Sequence, residues 1–519
     1  MQVTATDCTA ATLAGLLSYI LYQKHIAKQN SLPLPPGPPC WPLVGSLPSI
    51  PKGAPLWDVF KQWGEKYGDV CYARFLNQDT IILNSYEDAV ELLDRRSATY
   101  SSRPRLVMAN EVIGWKFGLA MLPFGDRMRR TRRMLQEGMS TKAMTDLWPL
   151  QEREAIKFTK RLLDTPEQLN EHIRQASGAI VLKLAYGYNV ESLDDPFIVL
   201  ADTTVDMFST VTTPGKFIVD IFPVLKHLPW TPFQAQIKAW QKLLIDFVDL
   251  PMQIVYGNMK KGGGEPCLVG RWLEREVLPK DKPREVAEYN ESIIKWGAMS
   301  LYGGGSDTTV SAISGFFAIM TVHPLVQAKA QAEIAQVIGT ERLPTYGDRD
   351  SLPYIEAVYK EVMRWNPIVP IGIPHRYDAK ADDEFQGMRI PKGSTVFANI
   401  WKMLRDPKMY QDPAIFNPER FMGPPESVER NPEDIVFGFG RRRCPGVNVA
   451  HSSVWLSIAL TLAVYDITPV FGPDGKPELP SLKSTGGTIS HPETFRCTVT
   501  PRSQKAVALI KEASTAGAV

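Results

Sequence analysis

Cysteine is scarce in this chain. Six are scattered over 519 residues, at Cys8, Cys40, Cys71, Cys267, Cys444 and Cys497, with no CxxC pair. Zinc ribbons, ferredoxin-type iron–sulfur sites and thioredoxin motifs are therefore excluded. A chain this long buries a core without disulfide staples, so any cysteine with a function acts singly. Charge of one sign is lacking too. The 58 Lys and Arg balance 56 Asp and Glu to leave +2, which is no electrostatic footprint for nucleic acid. There is no GxxxxGK[ST] and no GxGxxG after a strand, hence no nucleotide-binding domain. With 44% hydrophobic and 22% charged residues, the chain is neither disordered, nor a coiled coil, nor a multi-pass membrane protein.

What is present begins with an uncharged run, Cys8 to Tyr22, carrying Leu13, Leu16, Leu17, Ile20 and Leu21. At about 15 residues it is shorter than the ~20 of a full membrane span. Asp7 precedes it, and Lys24, His25 and Lys28 follow, the reverse of a cleaved signal peptide. The positive-inside rule puts the N-terminus outside and the remainder in the cytosol. Residues 1–31 read as a membrane anchor, or as a helix lying in the interface or docked on the body. The segment Leu32-Pro33-Leu34-Pro35-Pro36-Gly37-Pro38-Pro39 reads as a stiff extended hinge, over residues 32–50. Length alone allows about three domains, but residues 51–519 read as a single one.

That body is mainly α with a smaller β region. The pattern is helical from Trp57 to Tyr67, hairpin-like over Val70–Phe75 and Thr80–Leu83, helical over Glu87–Arg95, and then helical to about Val337. Strand signals return at Ser394–Phe397 and Phe495–Val499.

The most informative segment is Phe437-Gly438-Phe439-Gly440-Arg441-Arg442-Arg443-Cys444-Pro445-Gly446. Glycines around one thiol let backbone approach a flat object. Three adjacent arginines, and the N-terminus of an apolar helix over Asn448–Ala463, favour a thiolate. Such a thiolate suits heme iron as an axial ligand; the plain alternative is a buried cysteine in a glycine turn. Phe437-x-x-Gly440-x-Arg442-x-Cys444-x-Gly446 resembles the heme-thiolate signature of the cytochromes P450. The resemblance implies a P450 fold with one large heme domain, heme b ligated by Cys444, and Phe437 and Arg442 at the cofactor.

Other segments bear on the same resemblance. Leu301-Tyr302-Gly303-Gly304-Gly305-Ser306-Asp307-Thr308-Thr309 falls inside a helical pattern from about Glu291 to Met320. Three glycines at about 1 kcal/mol each need a local reason, such as a bulge where a ligand meets backbone. An acid followed by a hydroxyl there suits a proton relay. The segment is similar to the family's central-helix motif, which implies that Asp307 delivers protons and that Thr308 holds dioxygen and its proton. Glu361-Val362-Met363-Arg364 and Glu171-His172-Ile173-Arg174 both match E-x-x-R. Only the first has Asn417-Pro418-Glu419-Arg420-Phe421 downstream, as in the family's buried Glu–Arg–Arg lock. In the run Asp126–Arg133, the family's Trp-x-x-x-Arg appears as Met128 and Arg132, so the resemblance gives Arg132 a heme propionate but leaves Met128 in doubt. The other arginines there suit a docking surface for an acidic redox partner, or a solvated helix face. His375 matches a further propionate position.

These features imply monooxygenation of a small apolar molecule. Its pocket is expected from Arg105–Met121, Val205–Phe233 and the glycine-bearing helix. Electrons must come from a separate protein, since the chain carries no flavin or nicotinamide module. The resemblance implies an NADPH–cytochrome reductase at the endoplasmic reticulum membrane, with membrane lipid as a further partner and the catalytic domain cytosolic. Pro214-Gly215-Lys216-Phe217-Ile218-Val219-Asp220 is most similar to fungal members of secondary metabolism. Rival readings are a heme-thiolate isomerase, dehydratase or peroxygenase, and a non-enzymatic heme sensor; the Asp307–Thr308 pair weighs against both.

Overall fold

The computed structural model describes residues 32–227, 234–263, 265–279 and 281–516. The expected anchor and the end of the Val205–Phe233 segment, residues 228–233, lie outside the described residues.

The first helix, α1 (Leu56–Tyr67), buries Trp57, Phe60 and Trp63 at spacings of three, one helical face, and stops at Gly68 with φ +109°. Strands β1 (Val70–Phe75) and β2 (Gln78–Leu83) form the expected antiparallel hairpin, from Val70↔Leu83 to Phe75↔Gln78. Downstream come β3 (His375–Arg376), the β4 (Asp383–Phe385) and β5 (Met388–Ile390) hairpin, and β6 (Thr395–Ala398). The main sheet runs β1-β2-β6-β3, with β2 and β6 parallel. The proline segment is extended and tied to this sheet region. Tyr72 N–H donates to Pro36 O (3.0 Å) and Arg389 N–H to Pro33 O (2.8 Å). Gly37 is required there, since a Cβ would stand 1.7 Å from Tyr72 O.

The helical part comprises α2 (Asp126–Gly138), α3 (Thr141–Asp164), α4 (Leu169–Tyr186), α5 (Pro196–Thr212), α6 (Gln234–Lys260), α7 (Leu268–Glu276), α8 (Arg284–Val322), α9 (Pro324–Val337) and α10 (Pro353–Trp365). After the Cys444 loop, α11 (Val447–Val464) runs into β7 (Tyr465–Phe471). Strand β8 (Pro477–Glu478) and β9 (Cys497–Pro501) flank β7. The last strand begins two residues later than Phe495 because Ile467↔Val499 sets its register. Helix α11 is long and apolar enough to cross a membrane, but it is 78% buried inside the protein. An apolar surface all round is what a helix enclosed by others requires.

The expected bulge in the glycine helix does not occur: α8 is continuous helix over 39 residues. Its glycines serve packing instead. A Cβ on Gly305 would meet Val181 of α4 at 2.8 Å, and one on Gly303 would touch Phe247 of α6 at 3.4 Å, whereas Gly304 has nothing within 4 Å. Two glycines thus admit neighbouring helices, and the third leaves a flat patch of backbone facing a cavity that it helps to line.

Candidate active site

The cavity, of about 340 Å³, lies between α8 on one side and the Cys444 loop on the other. Cys444 is placed by its loop. Gly438 (φ +75°) and Gly440 (φ +51°) turn the chain in a region that L side chains rarely enter, and a Cβ on Gly440 would strike Leu93 O at 2.3 Å. Cys444 N–H donates to Phe437 O (2.8 Å), and the N–H of Gly446 points at Cys444 Sγ (3.4 Å). The thiol's accessible surface faces the cavity, with Phe437, Pro445 and Gly446 beside it.

The electrostatics correct one expectation. Burial pushes the Cys444 thiol pKa up, and the Gly446 N–H, Arg132 and Arg443 only partly offset it. Of the loop's three arginines, Arg443 acts on the thiol in the expected direction, and burial outweighs it. The three arginines do not act together. Arg442 turns inward, bonding Ser101 O (2.7 Å) and Leu119 O (3.3 Å). Arg441 stacks on Phe124 at 5.2 Å, and Arg443 reaches Glu433 O at 3.2 Å.

Around the thiol's edge of the cavity four cationic or basic groups converge: Arg103, Arg132, His375 and Arg442. Arg132 Nη2 donates to Arg443 O (2.6 Å), and His375 Nδ1 lies 2.7 Å from Tyr100 O. Arg103 was not anticipated from sequence. It donates to Ala120 O (2.8 Å), Ile373 O (2.7 Å) and Pro374 O (2.8 Å). Nothing in Ser102-Arg103-Pro104 marks it; only the fold shows that it points inward. Among the described residues no Asp or Glu lines the cavity. Burial, followed by mutual repulsion, pulls Arg442 down to about 9 and drives Arg103 and His375 well below their ordinary values. Buried like charges held only by carbonyls call for an anion of matching charge. A heme, with a flat ring for the glycine loop, iron for the thiol and two propionates for the arginines, fits this residue set.

The opposite half of the cavity is apolar. Trp115 and Phe208 meet edge-on at 4.7 Å, and Val205, Met299 and Leu301 continue the wall. The two expected segments thus contribute, joined by Ile180 and Val181 of α4 and by Thr488 and Ile489 of the loop before β9. Thr308 lines the cavity, its Oγ1 donating to Gly304 O (2.6 Å). Asp307 does not line it: its Oδ2 lies 3.1 Å from His491 Nε2 instead. Met128 is 1% exposed among core side chains and is not a cavity residue, so that position makes no contact of the kind a tryptophan would.

Glu361, Arg364 and Arg420 form a buried lock away from the cavity. Glu361 takes both guanidinium arms of Arg364 (2.7 and 2.7 Å) and Arg420 Nε (3.2 Å). The second E-x-x-R match makes no such lock; Arg174 pairs with Asp202 at 2.8 Å.

The P450 family model, described as "Cytochrome P450", matches residues 35–498, so the chain belongs to the cytochrome P450 family. Similar proteins are cytochrome P450 monooxygenase 208 of Postia placenta (42% identical, covering 97% of each chain) and cytochrome P450 monooxygenase claR of Ampulloclitocybe clavipes (40%, covering 96% of this chain and 91% of that one). Cytochrome P450 monooxygenase COX2 of Coprinopsis cinerea is 36% identical over 97% and 95% of the two chains. Membership implies heme with a cysteine-thiolate ligand, a small-molecule substrate and a redox partner that supplies electrons.

Proposed function

We propose that this chain is a monooxygenase that places one oxygen atom of dioxygen into a small apolar molecule, in fungal secondary-metabolite biosynthesis. The observation that carries the reading is the division of the cavity: thiol and buried cations on one side, and on the other a largely apolar wall with a few hydroxyls, Thr308 among them. The relatives bear the name monooxygenase, which supports the reaction class.

The heme, when bound, supplies dioxygen activation at its thiolate-ligated iron. Cys444 Sγ is the ligand, and the Gly446 N–H directed at it stabilises negative charge there. Arg103, Arg132, Arg442 and His375 would hold the propionates, and Phe437 would lie beside the ring. The wall around Trp115 and Phe208 binds the substrate by apolar contact and keeps water from it. Gly304 leaves room beside Thr308, whose Oγ1 lines the cavity and would pass a proton there. Asp307 resupplies that proton from behind the helix. Electrons come from an NADPH–cytochrome reductase. Residues 1–31 anchor the protein in the endoplasmic reticulum membrane, residues 32–50 set its orientation, and residues 51–519 form the cytosolic catalytic domain.

The test is a screen of apolar metabolites for a spin-state change in the heme spectrum, followed by turnover with NADPH, reductase and ¹⁸O₂. Product carrying one labelled atom is expected. A rearranged or dehydrated product without label, and without NADPH consumption, would replace the monooxygenase reading with the isomerase one.

A further inference from the structure

Asp307 is 6% exposed and lies behind the cavity wall. Its Oδ2 stands 3.1 Å from His491 Nε2, and since a carboxylate only accepts, Nε2–H is the donor. The His491 side chain keeps 26% exposure against 9% for that of Asp307, so it is the member of the pair that meets solvent.

The loop carrying this histidine is held on several sides. Ser311 Oγ of α8 donates to Ser490 O (2.6 Å), Ser490 N–H donates to Ile368 O (2.8 Å), and His491 N–H donates to Thr485 Oγ1 (3.0 Å). Among the described residues, the other charged groups near the acid come from α4 and α5. They are Arg174, its partner Asp202 at 2.8 Å, and Asp206, all within electrostatic reach of one another, with Asp307 acting on both Arg174 and Asp202. A guanidinium releases no proton at working pH. Asp202 is paired with Arg174, whereas His491 is hydrogen-bonded to Asp307 itself. Of these groups, the imidazole is the one hydrogen-bonded to Asp307, and it carries an exchangeable N–H. Ser177, one turn from Arg174 on α4, lines the cavity with a buried hydroxyl that has no protein partner.

We propose that His491 is the solvent-side proton donor to Asp307, so that protons enter through the loop before β9. The proposal rests on the reading of Asp307 as the acid that resupplies Thr308. In the step, protonated His491 breaks its N–H bond at Nε2 and an O–H bond forms at Oδ2, leaving a neutral imidazole and a carboxylic acid. The neutral imidazole then takes a proton from bulk water, and no electrons move. His491 acts through Asp307 and is a positioning residue of the reaction.

The test compares holoenzymes carrying His491→Gln, Asp307→Asn and both, against wild type. Glutamine keeps an N–H donor in reach but carries no titratable proton. NADPH-driven oxygen consumption with reductase, no ligand added, is measured between about pH 6 and about pH 9, across the imidazole range. His491→Gln is expected to slow consumption about tenfold at the acid end, and Asp307→Asn on the order of 10²-fold. The ratio of His491→Gln to wild type should rise toward unity as pH increases, and the solvent isotope effect should increase. Independently of turnover, thermal melting of the four resting holoenzymes at about pH 6 should be non-additive, which reports the contact itself. A wild-type pH profile in His491→Gln with a slow Asp307→Asn overturns the proposal and leaves the acid in place. Wild-type rates in both single variants overturn the acid and the proposal together. Additive melting overturns the pairing.

Discussion

Asp307 and Thr308 are consecutive in α8, yet they face different surroundings: Thr308 lines the cavity, and Asp307 pairs with His491 behind it. Adjacent helix positions differ by about 100° around the axis, so an acid next to a hydroxyl delivers from one compartment to the other. Thr308→Ala is therefore expected to retain heme and to consume NADPH, but to yield peroxide in place of product. Asp307→Asn should slow the whole cycle while each turnover remains coupled. The measurement is product per NADPH with peroxide assayed alongside. Wild-type coupling in Thr308→Ala would make that hydroxyl a packing group.

Cys444→Ala should abolish the red-shifted carbon-monoxide spectrum of the reduced protein. Cys71 is fully buried in the sheet region, and Cys267 accepts from Gly270 N–H at the start of α7. Neither borders the cavity, so alanine at either position should keep the spectrum.

Arg103→Met and Arg132→Ala should both speed heme transfer to an acceptor protein, by about 10- to 100-fold each if a charge-assisted bond of about 1.5–3 kcal/mol is lost. The two should differ in the heme-free protein. Arg103 is repelled by Arg442 and Arg132 and is compensated only by carbonyls. Removing it should raise the melting temperature without heme and lower it with heme. A fall in both forms would show that the carbonyl bonds outweigh the repulsion.

Glu361→Gln should destabilise the protein by about 3–5 kcal/mol, since two buried guanidinium groups lose one carboxylate. Heme retention and the unfolding midpoint should fall together. Glu171→Gln, at the other E-x-x-R, should leave both unchanged.

His451 of α11 sets a pH limit. Its Nδ1 lies 3.0 Å from Glu433 and its Nε2 3.4 Å from Glu356. Burial opposes its charge, but the two carboxylates outweigh burial and its pKa is raised. Burial likewise opposes the carboxylates, yet both are lowered by their partners. A raised histidine contributes stability in full below its unfolded value and loses it as pH climbs through the folded one; the lowered carboxylates lose theirs as pH falls through their folded values. Melting temperature should therefore drop on the alkaline side of the imidazole range, and His451→Gln should flatten that slope. An unchanged slope would mean that the cluster stays charged throughout.

Much of this architecture was legible in the residues. The thiol loop could be read because its glycines, proline and cysteine are constrained locally, each by backbone approach within a few positions. The β1–β2 hairpin could be read from period and α11 from its unbroken apolar run, neither of which needs a partner. The N-terminal run carried a signal that falls outside the described residues. What only packing decided were contacts across long separations. Arg103 points into the cavity because Ala120, Ile373 and Pro374 offer it carbonyls. Helix α8 runs unbroken through its three glycines, two of which, Gly303 and Gly305, sit against α6 and α4, although helix propensity alone argued for a break there. His491 meets Asp307 across 184 positions, and no pattern in either segment announces the other. Local chemistry is written in spacing, whereas the charge that finally surrounds a buried group depends on which distant side chains and carbonyls the fold brings to it.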